Sequence, residues 1–326
     1  MVVAGAVVTA FVVSPWPSVL IITRAFAGND ATSEAALEKH VPPGIVSQYD
    51  LPYGNGVDER FDINYPPGVS EPLPVILWVH GGGWVGGSKS GIANYLKIVA
   101  GEGYATIGVD YSTAPGAHYP VPVRQVNAAL AYITANDDAL RIDSSRIVLA
   151  GDSAGAQIAA QVANITTNPG YAEQIGIEPT LDADQLLGVV LVSGAFDLSR
   201  VDLDGLYGWF VRTVLWAYAG VKDFTNDEQF QLASVTPHVS ETFPPAFISS
   251  GNDDPLEPQA VALAERLRVL GVKVDALFFP AEHEPLPHEY QFNLDAPAGE
   301  QALSRLFAFL QDIVPVSETP EVRVDH

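Results

Sequence analysis

"VLAGDSAGAQIAA", residues 148–160, is the stretch from which the fold can be read. Val148, Leu149 and Ala150 read as the end of a buried strand, and the small residues from Ala154 onward read as a helix. Between them, Gly151-Asp152-Ser153-Ala154-Gly155 spells G-x-S-x-G at a strand–turn–helix junction. The logic is steric. A serine on so tight a turn projects its hydroxyl above the sheet edge, and the flanking glycines let strand and helix approach closely. The helix N-terminus adds a positive dipole end beside that hydroxyl.

Outward from this junction the pattern repeats. "PVILWVH" (74–80), "ATIGVDY" (105–111), "LLGVVLVSGAF" (186–196), "PAFISSG" (245–251) and "KVDALFFP" (273–280) read as further strands. "SGIANYLKIVAGEGY" (90–104), "VPVRQVNAALAYITA" (121–135), "PQAVALAERLRVLG" (258–271) and "GEQALSRLFAFLQDIV" (299–314) read as helices. Two more strands are expected around 45–53 and 60–67, and a short helix at "SEAALEKH" (33–40). Strands with unbroken β-branched runs, alternating with helices, predict an α/β fold: a mostly parallel sheet covered on both faces. Residues 197–236, with the aromatic-rich "LYGWFVRTVLWAYAG", interrupt the alternation and read as a small helical cap. Leu206, Trp209, Phe210, Thr213, Val214 and Ala217 form one helical stripe there, suited to packing down onto an apolar pocket.

Bulk properties remove whole classes of function. The 326 residues carry 39 acidic against 16 basic side chains, a net charge of −23, which repels phosphate backbones and argues against nucleic-acid binding. With no cysteine, the chain has no disulfide, thiolate metal site or cysteine nucleophile. No histidine pair has metal-ligand spacing, so neither a metal nor a cofactor is expected. The first 23 residues contain no charged side chain. Pro15 and Pro17 divide them into pieces shorter than the ~20 residues of a spanning helix, while "AFA" (25–27) resembles a cleavage site. Residues 1–48 are therefore read as an N-terminal apolar segment and arm, serving as anchor, export signal or cap. Export or membrane association through residues 1–27 is favoured over a cytoplasmic location.

"HGGGWVGG" (80–87) follows a predicted strand. Gly81, Gly83 and Gly86 match the dinucleotide spacing, with Asp110 closing the next strand. A phosphate P-loop is excluded, because Ser88 separates Gly87 from Lys89. A plain tight turn is a second reading. An oxyanion loop, whose glycines expose backbone amides, is a third. The serine motif favours the oxyanion loop, since a serine nucleophile needs a base, an orienting acid and amide donors. Asp253 and Asp254 follow one late strand, and His283 and His288 follow the next. Asp197 is an alternative acid. Asp152 is expected to tether the serine turn, and His80 to orient the glycine loop. Trp84 either lines the pocket or packs beneath it.

Together, "HGGGW" (80–84), "GDSAG" (151–155), "DPL" (254–256) and "PHEYQF" (287–292) resemble the hormone-sensitive-lipase-like (bacterial family IV) esterases of the α/β-hydrolase superfamily, from about residue 50 to 312. The resemblance implies an α/β-hydrolase fold over residues 49–326 with a small helical cap. It implies a serine carboxylesterase acting on small esters of short to medium chain through an acyl-enzyme. The implied triad is Ser153, His288 and Asp254, with oxyanion amides at Gly82, Gly83 and Ala154. Trp84, Trp209 and Phe210 are expected to contact substrate. Two departures stand out: Glu289 replaces the family's usual glycine, and residues 111–122 lack its usual charges. An amidase such as an arylformamidase would use the same triad, and a non-catalytic binder on this fold would have lost a member of it.

Overall fold

The computed structural model describes residues 9–69 and 71–316. The start of the predicted N-terminal segment, residues 1–8, lies outside them. One eight-stranded sheet runs in the order β1 (Val46–Pro52), β2 (Arg60–Tyr65), β4 (Ala105–Val109), β3 (Leu73–Val79), β5 (Ile142–Asp152), β6 (Leu186–Val192), β7 (Ala246–Ser249), β8 (Val274–Leu277). β2 is antiparallel to both neighbours, and β4, β3, β5, β6, β7 and β8 are mutually parallel. The longer helices are α1 (Trp16–Leu37), α2 (Ala93–Ala100), α3 (Val121–Ala135), α4 (Ser153–Thr167), α5 (Pro169–Ile175), α6 (Gly208–Ala219), α7 (Glu257–Val269) and α8 (Pro297–Ile313).

The unbroken apolar runs have a simple cause. Along β3, Val75, Leu77 and Val79 join the core under α3 and α4 on one face, and Ile76 and Trp78 join the core with α2 and α8 on the other. All five are at most 1% exposed, so neither face tolerates a polar residue. Each such burial contributes about 1.5–3 kcal/mol.

Two local expectations are corrected. The prolines do interrupt the N-terminal segment: helical residues 9–13 end at Ser14, and Pro15 and Pro17 then open α1, a helix of 22 residues, because the first turn needs no amide donors. The predicted short helix at 33–40 is the end of this longer one. No helix among the described residues is long and apolar enough to cross a membrane. In the cap stripe, Thr213, Val214 and Ala217 are buried, but Leu206 and Trp209 are 91% and 58% exposed. Leu206 lies in the turn before α6, which starts at Gly208 because a Cβ there would sit 2.2 Å from the Leu203 carbonyl oxygen.

The β5–α4 turn depends on its glycines. A Cβ on Gly155 would lie 2.0 Å from the Val79 carbonyl oxygen, and one on Gly151 would lie 2.6 Å from the Gly155 backbone. Ser153 itself has φ +49°, the left-handed region that side chains avoid. The glycine loop after β3 is anchored at its far end by Lys89. Its ammonium is almost buried and reaches Asp50 at 2.8 Å and Asp62 at 3.0 Å, while its amide donates to Asp110 at 2.7 Å.

Ser153→Gly is expected to be more stable than Ser153→Ala by about 1 kcal/mol, the reverse of the helix ranking. Equal denaturant midpoints would deny the strain. Lys89→Met leaves the buried Asp62 carboxylate unpaired and is expected to cost about 3 kcal/mol. A loss below about 1 kcal/mol would place the pair among ordinary surface ion pairs.

Candidate active site

The site forms at the carboxyl ends of the parallel strands, where an open α/β sheet leaves a crevice. Ser153 follows β5 as the first residue of α4, Asp254 follows β7, and His288 lies in the loop after β8. β8 stands three strand spacings from β5, about 14 Å, so the loop 278–288 has to carry the imidazole back across the sheet. Asn252 holds this loop in place. Its amide nitrogen donates to the Pro280 and His283 carbonyls at 3.1 and 3.2 Å, and its carbonyl accepts from Leu286 N at 2.8 Å. Sequence reasoning passed over Asn252, although it directly precedes the two candidate aspartates.

The loop brings His288 Nε2 to 3.0 Å from Ser153 Oγ and His288 Nδ1 to 2.9 Å from Asp254 Oδ2. Asp254 is buried, and it accepts further bonds from Ser250 Oγ and Leu256 N, each at 2.9 Å. Burial alone would raise its pKa. The bond and charge of His288, with these two donors, outweigh burial and hold the carboxyl below its usual range. For His288, burial pulls downward, but Glu289, Asp254 and Asp152 together lift the imidazole to about 9.

The other candidates lie elsewhere. His283 bonds its Nδ1 to the Glu284 carbonyl and packs on Phe279, on the outer part of the same loop. Asp253 is exposed. Asp197 bonds Ser199 and accepts from Arg200 at the start of the cap.

The glycine loop faces Ser153. Gly82 and Gly83 have φ +105° and +57°. A Cβ on Gly82 would lie 2.2 Å from the Gly86 carbonyl oxygen. Among the described residues no hydrogen bond uses the amides of Gly82 or Gly83, and Ala154 sits in the first turn of α4, where amides lack a helical acceptor. His80 is buried, donates Nδ1–H to the Gly81 carbonyl at 2.7 Å, and stacks on Tyr111 at 4.4 Å. Burial, the largest influence, keeps its pKa below the ordinary histidine value. Asp152 accepts from Trp78 Nε1 and from Gly81 N, each at 2.7 Å, tying the serine turn to the start of the glycine loop.

Trp84 is buried, stacked on Tyr218 at 4.9 Å, and donates Nε1–H to Gln157 on α4. Phe210 is half-buried and meets Phe26 of α1 edge-on at 6.0 Å. Phe26, Phe210 and Val214 all come within ordinary contact of a Cβ built on Gly83, so α1 and α6 together wall the amide side of the site. Trp209 points outward beside them.

Known proteins resemble this chain in sequence and fold. The family model described as BD-FAE matches residues 61–267. Carboxylesterase NlhH of Mycobacterium tuberculosis is 30% identical over 280 residues, 83% of each chain. An esterase of Fusarium pseudograminearum is 28% identical over 77% of each chain. Among solved structures, Esterase B from Lactobacillus rhamnosis shares the fold at TM-score 0.75 and 22% identity, over 90% of this chain and 94% of that one. A bacterial heroin esterase superposes at TM-score 0.73 with 25% identity, over 90% of this chain and 93% of that one. The chain is a carboxylic-ester hydrolase and belongs to the hormone-sensitive-lipase-like (bacterial family IV) esterases of the α/β-hydrolase superfamily.

Proposed function

We propose that hydrolysis proceeds through Ser153 as nucleophile, His288 as general base and then acid, and Asp254 as the group that orients the imidazole. The continuous chain Ser153 Oγ–His288 Nε2, Nδ1–Asp254 Oδ2, at 3.0 and 2.9 Å, carries this reading. Ser153 Oγ attacks the ester carbonyl as its proton passes to Nε2. The amides of Gly82, Gly83 and Ala154 receive the tetrahedral oxyanion, each donor being worth about 3 kcal/mol in the transition state. The imidazolium then protonates the departing alkoxide, and water repeats the cycle on the acyl-enzyme. Phe26, Phe210 and Val214 close the space beside Gly83, which supports small esters of short to medium acyl chain.

The same reading keeps residues 1–27 as a membrane-associating segment of an exported or membrane-bound enzyme. Trp16, Leu20 and Ile21 are each more than half exposed on one side of α1, and Trp209 and Leu206 of the cap are exposed as well. With a net charge of −23, an uncharged or zwitterionic lipid surface suits this face better than an anionic one.

Ser153→Ala and His288→Ala are each expected to lose turnover of p-nitrophenyl butanoate by about 10³-fold or more, with near-native melting, while His283→Ala keeps it. An inactive His283→Ala beside an active His288→Ala would reassign the base. In a p-nitrophenyl ester series, kcat/KM is expected to fall from butanoate to palmitate, and Phe210→Ala to flatten that fall; a profile peaking at palmitate would refute the walled pocket. Co-flotation with phosphatidylcholine vesicles is expected for the full chain and lost in Leu20→Gln/Ile21→Gln. No flotation of the parent would end the membrane reading.

A further inference from the structure

Glu289 occupies the position where the family resemblance predicts glycine, and its backbone is left-handed, with φ +59°. A long acidic side chain is therefore carried at a position that disfavours any side chain. Its carboxylate points into the active centre: Oε1 lies 3.6 Å from His288 Nε2, the same nitrogen that faces Ser153. The Glu289 amide donates to Ser193 Oγ at 3.2 Å, which helps hold this turn beneath the imidazole.

On its other side Glu289 meets Asp152. The two carboxyl groups are within hydrogen-bonding reach. A Cβ on Gly81 would lie 2.3 Å from Asp152 Oδ2 and 3.0 Å from Glu289 Oε1, so both oxygens crowd one point of the backbone. Two ionised carboxylates do not persist at such a distance without a proton between them. Asp152 is the more deeply buried of the pair. Burial first, and the charge of Glu289 second, hold its carboxyl well above the usual range. The pair therefore shares one proton between Asp152 and Glu289, and Glu289 is the member that faces His288.

We propose that Glu289 is a positioning residue for the imidazole of His288: a second carboxylate, held by a proton shared with Asp152, that faces the working ring nitrogen and moves the enzyme's activity toward alkaline pH. This rests on His288 acting as the base toward Ser153. During acylation the proton moves from Ser153 Oγ to Nε2 and then to the leaving alkoxide; Glu289 takes no proton and steadies the cation between those transfers. The imidazolium then has Asp254 at Nδ1 and Glu289 at Nε2. The ionisable groups around it are Asp254 from the loop after β7, Glu289 from its own loop and Asp152 from β5. Asp152 in turn faces His80 after β3, Asp30 of α1, Tyr95 of α2 and Tyr111 after β4. Burial keeps both tyrosines neutral and His80 uncharged in the working range.

The sign follows from the protonation state that works. The base must be neutral, so kcat/KM rises with pH and levels off above the imidazole pKa, which is lifted to about 9. Removing the Glu289 charge lowers that midpoint. The test measures kcat/KM for p-nitrophenyl butanoate, and the rate of Ser153 labelling by a fluorophosphonate, from about pH 6 to about pH 10. Parent, Glu289→Gln and Glu289→Gly are compared. Both variants are expected to shift the midpoint down by about one unit or more, so that the fraction of plateau activity at neutral pH rises about tenfold. Glutamine keeps the shape and removes the charge, and glycine suits the left-handed backbone, so melting curves near the parent's are expected for at least the glycine variant. A midpoint unmoved in a folded Glu289→Gln, or a shift seen only with glycine when both fold, overturns the role of the charge while leaving the triad intact. Turnover and labelling that survive His288→Ala would instead remove the base on which the proposal rests.

Discussion

Asp152 has almost no contact with solvent, and three segments of chain meet at its carboxyl group. Its two oxygens accept the indole N–H of Trp78 from β3 and the amide of Gly81, where the glycine loop begins. The Glu289 carboxyl approaches from the histidine loop. Nucleophile turn, amide donors and imidazole are therefore registered against one buried group rather than against each other across solvent. A buried carboxyl with two N–H donors and a carboxyl neighbour is satisfied only when all three partners are in place, so the cluster tolerates little displacement. That rigidity is what an oxyanion site needs, because its donors must already be aimed before charge develops.

A second layer of contacts connects the cap to the same helix. Trp84 stacks on Tyr218 of α6 and bonds Gln157 of α4, whose own amide reaches the Ala233 carbonyl. Gln161, one turn later, donates to Tyr119, Tyr171 and the Leu232 carbonyl. These glutamines lie on the helix that begins at Ser153, are fully buried, and are bonded throughout. The N-terminal helix joins beside the cap. Glu34 accepts from Asn94 N near the start of α2, and Phe26 reaches the glycine loop. The site is thus walled by segments that are far apart in the chain.

The parallel sheet was legible because buried strands cannot hide their composition: a strand covered on both faces must be apolar at every position, and β3 is. The serine turn was legible for a related reason, since its glycines answer clashes of backbone with backbone that no other residue avoids. The order of serine, aspartate and histidine after successive strand ends narrowed the acid to Asp253, Asp254 or Asp197 and the base to His283 or His288. Choosing between His283 and His288 depended on the path of a loop, and that path is set by Asn252, whose importance has no local signature. Only the end of the N-terminal helix was legible, because its start is marked by prolines, which end the helical turns before them and cost nothing at the first turn of the helix after them.

The sequence by itself determined the element order, the sheet class, the strained serine and the exposed glycine amides, since each follows from local sterics or from burial on two faces. Only the tertiary structure decided which imidazole meets the serine, that Trp84 is held in the interior, and that Glu289 stands against both His288 and Asp152. Those are matters of distance between residues far apart in the chain, and the electrostatics of a buried pair depend on where the neighbouring charges lie in space.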